Sequence, residues 1–157
     1  MASSHDDEKS GTVRDDILRE HRELMALIHD LGERASRGSD TGEHWSEELG
    51  EILTRLRTTL HQHFTSEEEG PFASEFPATF PQLAGRLEDI LAEHRDLMER
   101  VDHILREVNE ASEKATADEV QKIRKDVRGF IEAIRAHESA ENSLLQQAHL
   151  EDIGGRG

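Results

Sequence analysis

The chain contains no cysteine and no tyrosine. Disulfides, thiolate nucleophiles and cysteine-ligated iron–sulfur clusters are therefore excluded. Other aromatics are few, five Phe and one Trp in 157 residues, and the three prolines all fall at positions 71, 77 and 81. Long proline-free segments remain, rich in the helix formers Ala, Leu, Glu, Arg and Ile. Positive charge is scarce as well: 19 Lys and Arg stand against 35 Asp and Glu, a formal charge of −16. A nucleic-acid binder needs a basic stripe and none is present, and an anionic membrane surface would repel such a chain. No run approaches the roughly 18 to 20 apolar residues of a membrane span. The polar, acidic start "MASSHDDEKSG" is unlike a signal peptide. The expectation is one all-α, cytoplasmic domain with neither nucleic acid nor membrane as partner.

What the chain does have is an unusually clean 3.5-residue apolar seam. It runs Ile17, His21, Leu24, Ile28, Leu31 in a first segment and Trp45, Leu49, Ile52, Leu56, Leu60, His63, Glu67 in a second. A third holds Leu83, Leu87, Ile90, His94, Leu97, Val101, Ile104 and Val108. The fourth holds Val120, Ile123, Val127, Phe130, Ile134, His137, Glu141 and Leu144. Breaks fall at "SRGSDTG" (36–42), at "GPFASEFPATFP" (70–81) and, most weakly, at "NEASEKATAD" (109–118). Four helices joined in this way predict an up-down-up-down four-helix bundle. Phe72, Phe76 and Phe80 of the longest connection are expected to close one end of its core. Residues 1–11 read as a disordered acidic tail, 12–148 as the bundle and 149–157 as a flexible C-terminal tail.

The sequence also repeats. "EHRELM" at 20–25 returns as "EHRDLM" at 93–98, and His63-x-x-x-Glu67 returns as His137-x-x-x-Glu141. Each half is thus a two-helix hairpin carrying a His and then a His-x-x-x-Glu, and two such hairpins would pack about a pseudo-twofold axis.

Ten histidines are present. Six of them, His5, His29, His44, His61, His103 and His149, lie off the seam or in the tails and read as solvated. His61 sits about 200° round the helix from His63 and should face outward. The other four, His21, His63, His94 and His137, occupy core positions, one per helix. A lone core histidine is most often simply hydrogen-bonded. Four of them at matching heights in two antiparallel hairpins predict convergence on one layer. Glu67 and Glu141 follow a seam histidine by four residues, about 6 Å along the same face. Burying two uncompensated carboxylates costs several kcal/mol each. Divalent cations remove that cost and use the imidazoles too. Four imidazoles and two carboxylates suit two ions, each held by two histidines with both glutamates bridging. Such a set favours iron, with manganese or zinc as the alternatives. Glu68, Glu69 and Glu138 are read as solvated.

This order of residues, His21, His63-x-x-x-Glu67, His94, His137-x-x-x-Glu141, resembles the hemerythrin-like (HHE cation-binding) domain, over about residues 12 to 148. Ferritin-like bundles use Glu-x-x-His pairs instead, and none falls on these seams. The resemblance implies a non-haem di-iron centre, bridged by an oxo or hydroxo group and the two glutamates. Oxygen-carrying hemerythrins supply a fifth histidine one turn after the third-helix histidine, where this chain has Met98. They also commonly use an aspartate where it has Glu141. The pattern is closer to bacterial hemerythrin-like proteins tied to peroxide or nitric oxide stress, and to the metal domain of di-iron proteins that repair damaged iron centres. The latter carry a cysteine that this chain lacks.

Two near-equivalent irons, each with an open position, would react with O2, hydrogen peroxide or NO. The first reading is a di-iron oxidoreductase that decomposes peroxide or performs an oxygenation, served by an unknown electron donor. A carrier, store or sensor of O2 or NO comes second, and an iron-repair or iron-donor protein last. A monomer or weak homodimer is expected. Met25, Leu24, Leu97, Met98, Phe64 and Ile134 should wall the pocket. Glu20 and Glu93 precede ligand histidines; a solvated helix face is the plainer reading of both, and orientation of a neighbouring ring the second.

Overall fold

The structure, a computed structural model, describes residues 3–37, 42–111 and 115–154. Four long helices dominate: α1 (Ser3–Ser36), α2 (Gly42–Glu69), α5 (Ala84–Ala111) and α6 (Ala117–Gly154). Between α2 and α5 lie two single-turn helices, α3 (Pro71–Ser74) and α4 (Phe76–Thr79), and a 3-10 turn at Pro81–Leu83. The described residues contain no strand. α1 packs against α2 and α6, and α5 packs against the same two, which closes a four-helix ring. Every seam residue named above is buried.

The breaks have local causes. The last carbonyls of α1 find donors outside the helix: Trp45 Nε1 donates to Arg34 O at 3.1 Å, and Arg124 Nε donates to Ala35 O at 2.8 Å. At the end of α2, a Cβ on Gly70 would lie 2.5 Å from the Ser66 carbonyl oxygen, so only glycine fits where the chain turns into Pro71. α6 starts in a reciprocal cap. The Glu119 amide donates to Thr116 Oγ1 at 3.2 Å, and the Thr116 amide donates to Glu119 Oε2 at 3.4 Å.

Helix extends further at both termini than the seam alone indicates. Residues 3–11, expected as a tail, continue α1, and residues 149–154 continue α6. No proline interrupts either stretch. At the C-terminal end the extension projects past the bundle, with Leu150 and Ile153 exposed. His5, the break residues 38–41 and 112–114, and the last three residues lie outside the residues whose side chains are described.

The core is split in two. One apolar cluster runs from Leu24 to Ala35 on α1, through Trp45 to Phe64 on α2, and on to Leu97–Ala111 and Val120–Ile134. A second joins Ile17, Phe72, Leu83, Leu87, Ile90, Leu144, Leu145 and Ala148 at the other end. Phe76 and Phe80 pack against it, and the rings of Phe72, Phe76 and Phe80 follow one another at 5.4 and 5.1 Å. The aromatic connection therefore closes one end of the bundle. Between the clusters lies a polar layer. Of the buried polar and charged residues described, all but Ser46 are in it: His21, His63, Glu67, His94, His137, Glu138 and Glu141.

Candidate metal centre

Each long helix contributes one histidine to this layer, and each is at most 4% exposed. The rings pair across adjacent helices. His21 and His63 have centroids 5.0 Å apart, and so do His94 and His137. Glu67 and Glu141 stand between the pairs. Glu67 places Oε1 2.5 Å from His63 Nε2 and Oε2 3.0 Å from His94 Nε2. Glu141 places Oε1 3.3 Å from His21 Nε2 and Oε2 3.5 Å from His137 Nε2. Each carboxylate thus turns one oxygen to each pair of rings. The donor atoms of His21, His63, Glu67 and Glu141 lie within 4.8 Å of one another, as do those of Glu67, His94 and His137.

All four rings have the same orientation. Nδ1 points outward to an oxygen acceptor: His63 to Glu20 at 2.6 Å, His137 to Glu93 at 2.8 Å, His94 to Glu68 at 3.1 Å and His21 to Asn142 at 2.9 Å. An oxygen acceptor requires Nδ1 to carry the hydrogen, which leaves Nε2 as the inward donor. All four Nε2 atoms, and both oxygens of Glu67, Glu138 and Glu141, are buried without a hydrogen-bond partner. Ten inward nitrogen and oxygen atoms of this kind suit hard-to-borderline divalent cations, and outward hydrogen bonds on ligating imidazoles are the usual way such rings are held.

Protons take up part of the charge when no cation does. Burial opposes a charge on His21, but Glu138 and Glu141 outweigh it and push the ring up to about 10. Burial likewise opposes a charge on His63, where Glu67, Glu141 and Glu20 push it up to about 9. Burial and the Glu67 carboxylate raise Glu141 well above the ordinary carboxyl range. Glu67 is held far below that range in spite of its burial, by hydrogen bonds from Glu141, His63 and His94. The two glutamates accordingly share one proton.

The six residues picked out on the seams come together. The five off-seam histidines whose side chains are described, His29, His44, His61, His103 and His149, are all exposed. Phe64 is buried and stacks on His94, with centroids 3.9 Å apart and planes 8° apart. Leu24, Leu97 and Ile134 are buried beside it, and Met25 and Met98 are partly buried. Glu20 and Glu93 are more than a solvated face, since each orients a histidine of the neighbouring helix.

Three further residues escaped the seam reading. Glu68 and Asn142 each follow a bridging glutamate and hold the Nδ1 of a ring on the adjacent helix. They are equivalent positions in the two halves, so the repeat was the signal that could have found them. Glu138, read as solvated, is 2% exposed, with Oε2 2.6 Å from His21 Nε2 and Oε1 3.8 Å from His63 Nε2. It sits one position off the seam, where burial depends on how α6 meets α1.

The profile of the hemerythrin HHE cation binding domain matches residues 12–148. No curated protein and no solved structure matches the chain. The profile match spans the whole bundle and every histidine and glutamate of the polar layer, and the chain belongs to the hemerythrin HHE cation-binding domain family.

Proposed function

We propose that the polar layer holds two iron ions and that the protein is an oxidoreductase acting on a small ligand, O2, hydrogen peroxide or NO. The supporting observation is the way Glu67 and Glu141 each divide their oxygens between two histidine pairs whose Nε2 atoms have no protein partner. His21 and His63 would hold one ion, His94 and His137 the other, and both glutamates would bridge. Bound iron would supply Lewis acidity and electron exchange. Manganese or zinc would fit the same donors.

The chain's own residues favour small ligands. Leu24, Phe64, Leu97 and Ile134 close around the layer and are at most 3% exposed. A groove of about 410 Å3 lies elsewhere, between α5 and α6, lined by residues such as Asp96, Arg100, His103 and Asp126. Met98 occupies the place, one turn after His94, where a fifth imidazole would fill a coordination position. A thioether is a weak ligand for a hard iron site, which favours reaction over simple carriage. Glu20 and Glu93 are 33% and 51% exposed at their side chains, so the protons on His63 and His137 Nδ1 are one residue from water.

Iron analysis of the purified protein should give about two ions per chain. Adding peroxide to the loaded protein in an oxygen electrode should release O2, or adding NO should consume it catalytically. A reversible change in absorbance with O2, without turnover of peroxide or NO, would instead establish the carrier or sensor reading. Less than one iron, with no other metal, would overturn the centre itself.

A further inference from the structure

We propose that Glu138 is a third carboxylate ligand, belonging to the ion held by His21 and His63, and that it makes the two ions inequivalent. The exogenous ligand then meets the ion held by His94 and His137. This rests on the two-ion reading above.

The two halves of the bundle repeat with a shift of 74 residues between His63 and His137, and under that shift Glu138 corresponds to Phe64. The surroundings obey the same symmetry almost everywhere. Glu20 and Glu93 hold equivalent rings, as do Glu68 and Asn142. At the position after the ligand histidine the symmetry fails. Phe64 turns toward α5 and lies flat on His94, closing that side with a surface that cannot donate electrons to a metal. Glu138 turns toward α1 and brings a carboxylate to His21 and His63.

A glutamate with both oxygens buried and unpartnered needs a reason to be there. Lys and Arg do not appear among the buried residues, so no fixed cation of the protein answers it. Glu138 also stands within ligand distance of the group already formed by His137 and Glu141. With neutral imidazoles, Glu67 and Glu141 alone leave two divalent ions under-neutralised in a dry interior. A third carboxylate brings the layer nearer to balance. It also completes one ion's protein ligands while Phe64 denies the other a matching donor. The open position is thereby directed to the His94 and His137 side, beneath Phe64 and Met98.

Glu138→Gln separates this role from a purely structural one. The amide keeps the shape and a hydrogen bond to His21 but is a poor iron ligand. Anaerobic titration with ferrous iron, with far-UV circular dichroism to confirm the fold, should show two binding steps in the wild type. In Glu138→Gln one step should weaken by at least about tenfold and the other should not move. Mössbauer spectra of protein loaded with iron-57 should show two distinct doublets of equal area in the wild type, drawn together in the variant. Unchanged affinities with unchanged spectra, or a single doublet in the wild type, would overturn the assignment of Glu138. A wild type that binds fewer than two ferrous ions would overturn the dinuclear reading as well. Glu138→Ala repeats the titration without any hydrogen bond to His21. If the alanine variant binds both ions as the wild type does, Glu138 is no ligand.

Discussion

At the scale of single residues, the sharpest question is which of two neighbouring histidines matters. His61 and His63 are both in α2, two positions apart, yet His63 is 3% exposed and His61 faces solvent. His63→Ala should remove one metal-binding step, and His61→Ala should leave metal content at the wild-type value. Elemental analysis of the two variants decides it, and the reverse result would place the seam one face round the helix. Glu20 and Glu93 act through the rings they hold. Removing the acceptor from His63 or His137 Nδ1, as in Glu20→Ala, should weaken iron binding by about 10- to 100-fold without abolishing it. The double variant Glu20→Ala/His63→Ala should be no weaker than His63→Ala alone, because the glutamate has no other role in the layer.

At the scale of elements, the ends of the helices carry testable detail. Gly70→Ala would drive a methyl group into the Ser66 carbonyl oxygen, which belongs to backbone and cannot swing away. A loss of about 1 to 3 kcal/mol in denaturant unfolding is expected. Thr116→Ala would remove the hydroxyl that caps Glu119 and should cost about 1 kcal/mol. That cap also shows what can be read from sequence. "TADE" at 116–119 is a capping box in plain view, yet the seam draws attention to apolar spacing and leaves 109–118 as a vague break. The four long helices and all six seam ligands were legible because buried positions recur every three to four residues, and a polar residue on that register has nowhere to go but inward. Glu138 was not legible by the same logic. Its position is flanking, and the sequence around it reads as a solvated stripe until α1 is laid against α6. Glu68 and Asn142 fall between these cases: half-exposed side chains, silent in a seam, but equivalent under the internal repeat.

At the scale of the whole molecule, one polar layer cuts an otherwise apolar core into two clusters, and protons and cations compete for it. Without metal, His21 and His63 bind protons more tightly in the folded chain, at about 10 and 9, than an ordinary histidine near 6.5. Their folded values are raised, so the stability they contribute is fully present below about pH 6.5. It is lost as pH rises through about 9 to 10, because the unfolded chain has then already released protons that the folded chain still holds. Glu141, raised by burial and by Glu67, pushes stability the same way. Cation binding reverses the dependence. Iron needs the imidazoles neutral and the carboxylates ionised, so loading releases protons and weakens as the solution becomes acidic. A ligand that binds only the folded state also raises the unfolding temperature. In chelator, the unfolding temperature should therefore fall between about pH 6.5 and 10. In the metal-loaded protein it should be higher throughout and should not show that fall. Scanning calorimetry of both forms across this range tests the argument. Parallel curves for the two forms would mean that the layer's protons stay in place when metal binds, and that the seam histidines are not where the metal sits.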